Sequence, residues 1–250
     1  MGFGYRLTQY WTFDRKEQRD MLLTSVIMIL VLFFFLWAKY PNIDITVRTG
    51  PISVVNILIL YLVSYGLLVA MIGTAKAVAI YKKYTATYSS WFNGLLIGFV
   101  ITFASYGLLP VLFPGVVTLD RIETMRYGHP QEGINKRAIF WTMTFSLLMM
   151  VIIAIILQQL HMTSGSFIIE GAKDLVALIL LYSILPFPHN YGSHLFFTKK
   201  KSYFVLAFFI IAFSISLLFN SPYAVVIGLA GGALLWLAFS RYVSHHFFKE

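Results

Sequence analysis

The run Met21–Ala38, MLLTSVIMILVLFFFLWA, contains no charged residue. As a helix it is long enough to cross most of the roughly 30 Å hydrocarbon layer of a bilayer. Further apolar runs follow at about Ser53–Ile80, Phe92–Val117, Ala138–Leu160, Leu175–Leu185, Tyr203–Phe219 and Tyr223–Val243. The composition agrees. Hydrophobic residues are 59% of the chain and charged residues 12%, against roughly 25% charged in soluble domains. The 250 residues therefore read as one transmembrane domain of several spans. A polar segment, 1–20, comes first and a helical hairpin with a tail, 203–250, comes last.

The flanks set an expected topology. Arg15, Lys16 and Arg19 precede the first span, and Lys82-Lys83 follow the second. Lys199-Lys200-Lys201 precede the final hairpin, and Arg241 and Lys249 follow it. Excess Lys and Arg marks cytoplasmic loops, so both termini are expected in the cytoplasm of a cell with the chain in its plasma membrane. Residues 1–20 lack the pattern of a cleaved signal, and the first span reads as retained. Lys76, near the end of the second span, is expected to snorkel to the same interface. The net charge of +9 points to contact with anionic lipids. Nucleic acid is not an expected partner, because the basic residues are scattered over the loops. With no cysteine present, disulfides, Cys-ligated zinc and Fe–S clusters are excluded.

Phe92–Val117 admits two readings. It is long enough to span, but that would put Arg121, Arg126, Lys136 and Arg137 outside the cell. Gly107, Pro110, Pro114 and Gly115 break its interior, which favours a segment that dips in and returns. Such backbone is tolerated at membrane depth only where protein or a cavity covers it. The hairpin turns at Asn220-Ser221-Pro222, and Gly228, Gly231 and Gly232 would let its helices approach closely.

Two stretches carry more information. One is KAVAIYKKYTATYSSWFNGLLIGFVITFASYGLLPVLFPGVV, from Lys76; the other is LPFPHNYGSHLFF, Leu185–Phe197. With the lead-in FDRKEQRDMLL, their order resembles the site-2 protease family of intramembrane zinc metalloproteases, archaeal type. There, an HExxH helix runs into a stretch like KFVAxKYGxWAEFxxW. A Gly/Pro-rich apolar segment and another core helix follow, and a later core helix ends in a motif like LPIPPLDGSKxF. The resemblance covers about Phe13 to Phe197. It implies a core of three helices, short β structure after the second span, and a zinc held by two His and one Asp with a Glu as general base.

Carried over residue by residue, the HExxH positions fall on Met71, Ile72, Gly73, Thr74 and Ala75. The metal histidines become Met71 and Ala75, the general base becomes Ile72, and the Asp becomes Tyr191, with Gly192 and Ser193 retained. The family's Gly-Pro pair and downstream Asn are replaced near Trp141-Thr142. The resemblance therefore implies a non-catalytic relative, a pseudoprotease with no cofactor. Its binding cleft would involve Met71, Ala75, Trp141, Tyr191, Gly192 and Ser193, and its partners would be other integral membrane proteins or transmembrane helices.

Two alternatives remain open. One is an active metallopeptidase with a non-standard metal site at His189 and His194; His161, His129 and the His245-His246 pair lie in other loops. The other is a small transporter or pore, using breaks at Pro110/Pro114 and Pro186/Pro188 as half-helix elements. Intramembrane Ser and Thr are expected to bond between helices. Asn56, Lys173 and Asp174 are expected at span ends, where Asp174 would favour a helix N-terminus. The expected fold is an all-α polytopic membrane protein with six full spans plus one re-entrant or seventh segment.

Overall fold

The structure, a computed structural model, describes residues 3–40, 54–122 and 136–242. The connection after Tyr40, Ser53, Arg126, His129, Val243, His245, His246 and Lys249 lie outside the described residues. The elements are α1 (Phe3–Tyr10), α2 (Arg15–Lys39), α3 (Val54–Tyr81), β1 (Tyr84–Ser89), α4 (Phe92–Ala104), β2 (Val116–Arg121), α5 (Lys136–Ser164), α6 (Phe167–Ile184), α7 (Tyr191–Thr198), α8 (Lys200–Leu218) and α9 (Ala224–Tyr242). The described residues are thus mostly helical, with a two-stranded antiparallel ladder of β1 on β2.

Among the described residues, four helices are long and apolar enough to cross a membrane: α2, α3, α5 and α8. The 28 residues of α3 extend about 42 Å at 1.5 Å per residue. The start of α2 is fixed by a capping box. Asp14 accepts from the Arg15 N–H at 2.8 Å, and Glu17 accepts from the Asp14 N–H at 3.0 Å, which satisfies donors that a helix start leaves open.

The centre of the bundle is α6. Every residue from Glu170 to Leu180 is buried, as expected of a helix that is packed all round. The sequence suggested a short span from Leu175. The helix instead begins at Phe167, because Glu170, Lys173 and Asp174 find partners inside the protein (below). Around α6 lie α8, α5 and α3, with α2 outside them. In the last hairpin, a Cβ on Gly228 would stand 2.9 Å from that of Phe213, and one on Gly232 would stand 2.9 Å from Phe209 Cα. Only glycine permits that approach.

The segment after β1 enters and returns. The 13 residues of α4 rise about 20 Å, the chain turns at Ser105–Leu109, and extended backbone runs back to β2. Ser89 pairs with Val116 and Tyr84 with Arg121, so entry and exit are side by side. The returning strand is tied to α4 where the Val111 N–H donates to Thr102 Oγ1 at 2.9 Å. Gly107 (φ 81°) takes the turn against α2. A side chain there would fall 1.9 Å from the Phe34 carbonyl oxygen. The backbone of Phe92–Val117 thus turns back on itself and brings its two ends to one ladder.

This path places the basic flanks together. Glu17 near the start of α2 pairs with Lys76 near the end of α3. Trp141 and Phe145 near the start of α5 share a groove with Tyr81 and Lys82. Lys199, at the start of α8, stands over the Phe140 ring.

Candidate functional site

Met71, Ile72 and Ala75 occupy consecutive turns of α3 and are fully buried. In helical geometry Met71 and Ala75 share a face. Opposite them lies α5, whose Ser146 hydroxyl donates to the Met71 carbonyl at 2.8 Å. Tyr191, the first residue of α7, is also fully buried. Its hydroxyl lies beside Ser146 but makes no hydrogen bond of normal geometry. Tyr88 of β1 also lies near Tyr191. Its hydroxyl meets Thr24 Oγ1 at 3.0 Å and donates to the Pro114 carbonyl. Elements α3, α5, α7 and β1 thus come together through the Met71 carbonyl, Ser146, Tyr191 and Tyr88, although Met71 and Tyr191 are far apart in sequence. Met71, Ile72, Ala75, Tyr88 and Tyr191 belong to one buried apolar cluster.

The break at LPFPHNYGSH is specified in detail. Pro186 and Pro188 cannot continue α6. The orphan carbonyls at its end find other donors: Asn190 Nδ2 donates to Tyr182 O at 3.0 Å, and the Tyr203 hydroxyl donates to Ile184 O at 3.0 Å. The chain turns through His189 (φ 56°). It then passes so close to the end of α6 that a Cβ on Gly192 would lie 2.1 Å from the Ile184 oxygen. Ser193 donates to Asn190 O at 2.8 Å and secures the first turn of α7.

Not every expected residue joins this site. Trp141 points outward, 41% exposed, into the groove with Tyr81, Lys82 and Phe145. It faces away because Ser146, more than a turn further on, faces inward. His189 is exposed and stacks on Trp91 at 5.9 Å. His194 lines a different groove of about 640 Å³, with Lys136, Pro186, Pro188, Ser193 and Phe197. Among the described residues, no group of three His, Cys, Asp or Glu stands together as metal ligands.

Two buried ionic clusters went unread in the sequence. Lys76 does not snorkel. It is 2% exposed and donates to Glu17 Oε2 at 2.7 Å and to the Thr12 carbonyl at 2.6 Å, with the Phe13 ring 4.5 Å away. Glu17 Oε1 also accepts from the Tyr88 N–H at 2.6 Å. One carboxylate thus joins α2, α3 and β1. At the opposite end, Lys39 Nζ lies 2.7 Å from Asp174 Oδ2 and 3.0 Å from Glu170 Oε1. Lys173 lies 3.4 Å from Asp174 Oδ1 and donates to Asn220 Oδ1. Asn220 Nδ2 donates to Glu170 Oε1 at 3.2 Å, and the Tyr40 hydroxyl donates to the same oxygen. Burial and that hydrogen bond push Tyr40 up to about 12, so it remains a neutral donor. Asp174 therefore does not serve the α6 N-terminus; it is two turns in and paired. Asn56 lines a small apolar recess with Leu32, Leu60 and Phe167.

No protein-family model, no curated protein and no solved structure matches the chain. The likeness to site-2 proteases rests on the two motifs.

Proposed function

We propose that this protein is a non-catalytic relative of the site-2 proteases that binds other membrane segments. It crosses the membrane six times, with α4 as a re-entrant element and both termini in the cytoplasm. The observation that supports this most is the meeting of Met71, Ser146 and Tyr191. Met71 and Tyr191, from two distant motifs, are both fully buried and both lie beside Ser146, and neither position carries a charge. Burying an unused His/Glu cluster would be costly, whereas Met71, Ile72 and Ala75 pack there without charge. The orientation is supported by the basic flanks gathered at one end. A partner segment has a place to rest in the groove beside the broken helix, lined by Pro186, Pro188, Ser193, His194 and Phe197.

The test is photo-crosslinking in native membranes. A photoreactive amino acid at Phe197, 75% exposed, is expected to capture a discrete set of membrane proteins. The same group at Leu62, on the outer face of α3, is expected to capture lipid. Equal, non-specific adducts from both positions would refute a partner groove.

A second reading, transport, draws on the buried pair Asp174 and Glu170 with Lys39 and Lys173. Two cations and two anions balance there, which suits a fixed latch better than a site that loads an ion. Uptake into liposomes that is abolished by Asp174→Asn would favour transport instead.

A further inference from the structure

The turn that ends α4, Ser105–Val111, satisfies its backbone donors from within. The Ser105, Tyr106, Gly107 and Leu108 N–H groups donate to the Ile101, Phe103, Thr102 and Ser105 carbonyls at 2.8–3.1 Å. The Leu109 N–H donates to Ser105 Oγ at 3.1 Å, and the Val111 N–H to Thr102 Oγ1 at 2.9 Å. Pro110, between them, has no N–H to satisfy. A turn in water needs no such completeness, because solvent serves the same donors. In hydrocarbon each unmet donor is costly. The side chains agree with the backbone. Tyr106 is 85% exposed, Leu108 75% and Leu109 62%. Tyr106 is held outward by backbone at φ 52°, a conformation that a bulky residue rarely adopts. The base of the same hairpin is different in kind, and there the ladder exposes Thr87, Thr118 and Asp120.

The neighbouring helix gives the depth of the tip. Thr24 of α2 meets Tyr88 in the ladder, and Phe34 of α2 meets Gly107 at the tip. Phe34 lies four residues before Ala38, the end of the charge-free run, which is about 6 Å at helical rise. The tip therefore stops just short of the membrane boundary opposite the ladder, and a tyrosine side chain covers the remaining distance. Tyrosine suits that boundary, with an apolar ring and a wet hydroxyl. We propose that the α4 tip is a lipid-contact surface for the leaflet opposite the ladder. Leu108 and Leu109 lie against acyl chains, and the Tyr106 hydroxyl reaches the ester and phosphate oxygens of a phospholipid. A protein partner could offer hydrogen bonds to the turn, whereas acyl chains cannot, and the N–H groups of this turn need none. The inference rests on α4 being re-entrant and stands apart from the scaffold reading.

The experiment places single cysteines in the full chain in cells and applies a membrane-impermeant maleimide before and after the membrane is made permeable. Thr87→Cys and Thr118→Cys are expected to react from one side, and Tyr106→Cys from the other. Ile97→Cys, on the outer face of α4, is expected to react from either side at least roughly tenfold more slowly than Tyr106→Cys, because it lies in hydrocarbon. All four positions are exposed, so the substitutions leave the core intact. A photoreactive amino acid at Tyr106 in native membranes is expected to give chains heavier by one phospholipid. Tyr106→Cys reacting from the same side as Thr87→Cys, or from neither side, would overturn the proposal and leave re-entry standing. A protein adduct at Tyr106, including a second copy of this chain, would put a protein where the lipid is proposed and overturn it as well. Thr87→Cys and Thr118→Cys reacting from opposite sides would overturn re-entry itself, and the proposal with it.

Discussion

Glu17 shows how much one buried carboxylate can organise. It closes the α2 capping box, pairs with Lys76 and accepts from the Tyr88 N–H. Removing one partner of a buried pair leaves the other uncompensated, at a cost of about 3–5 kcal/mol. Lys76→Met should therefore lower stability by about that much in a denaturation series in mild detergent. The double change Glu17→Gln/Lys76→Met should recover most of it, because no charge is then stranded. Part of this was legible: Asp14-x-x-Glu17 is a helix-start signal. The pairing was not, since a lone lysine near a span end reads as snorkelling and its carboxylate is 59 residues away. Gly192 is a stricter case. Its side-chain direction is closed by the Ile184 and Leu185 carbonyl oxygens at 2.1 and 2.5 Å. Gly192→Ala should force α7 off the end of α6 and reduce the yield of folded protein sharply, as read by size-exclusion profile and melting temperature.

At the scale of elements, composition separated the long helices well but could not decide between spanning and returning for Phe92–Val117. Gly107, Pro110, Pro114 and Gly115 gave the hint, and the β1–β2 ladder carries the geometry. Thr87 and Thr118 are directly opposite in that ladder, with hydroxyls 2.8 Å apart. The natural chain has no cysteine, so Thr87→Cys/Thr118→Cys gives a clean test. A disulfide should form under mild oxidation, since facing strand residues meet the distance a disulfide needs. If Phe92–Val117 crossed the membrane, the two positions would lie on opposite faces and no bond would form. The start of α6 was misplaced for a different reason. Glu170, Lys173 and Asp174 look like a span boundary in one dimension, and only the partners Lys39 and Asn220 from α2 and the α8–α9 turn show why charges sit inside.

For the whole molecule, an ionic cluster ties the bundle at each end, and a packed centre lies between them where the motifs imply a metal. That centre was approached from the sequence through Met71, Ala75 and Tyr191. Ser146, which joins them, was indistinguishable from any other intramembrane serine. Trp141 was included because its neighbours align with a core helix, but its ring faces outward. The most direct test of the central claim is zinc content, measured side by side on the untagged natural protein and on Met71→His/Ala75→His/Tyr191→Asp, both purified without chelators and shown to be monodisperse. The natural protein is expected to carry no zinc above background. The triple variant, with two imidazoles and a carboxylate placed where three elements meet, is expected to bind close to one zinc per chain. Near-stoichiometric zinc in the natural protein, or a folded triple variant with none, would contradict the reading of this centre as a packed-over metal site.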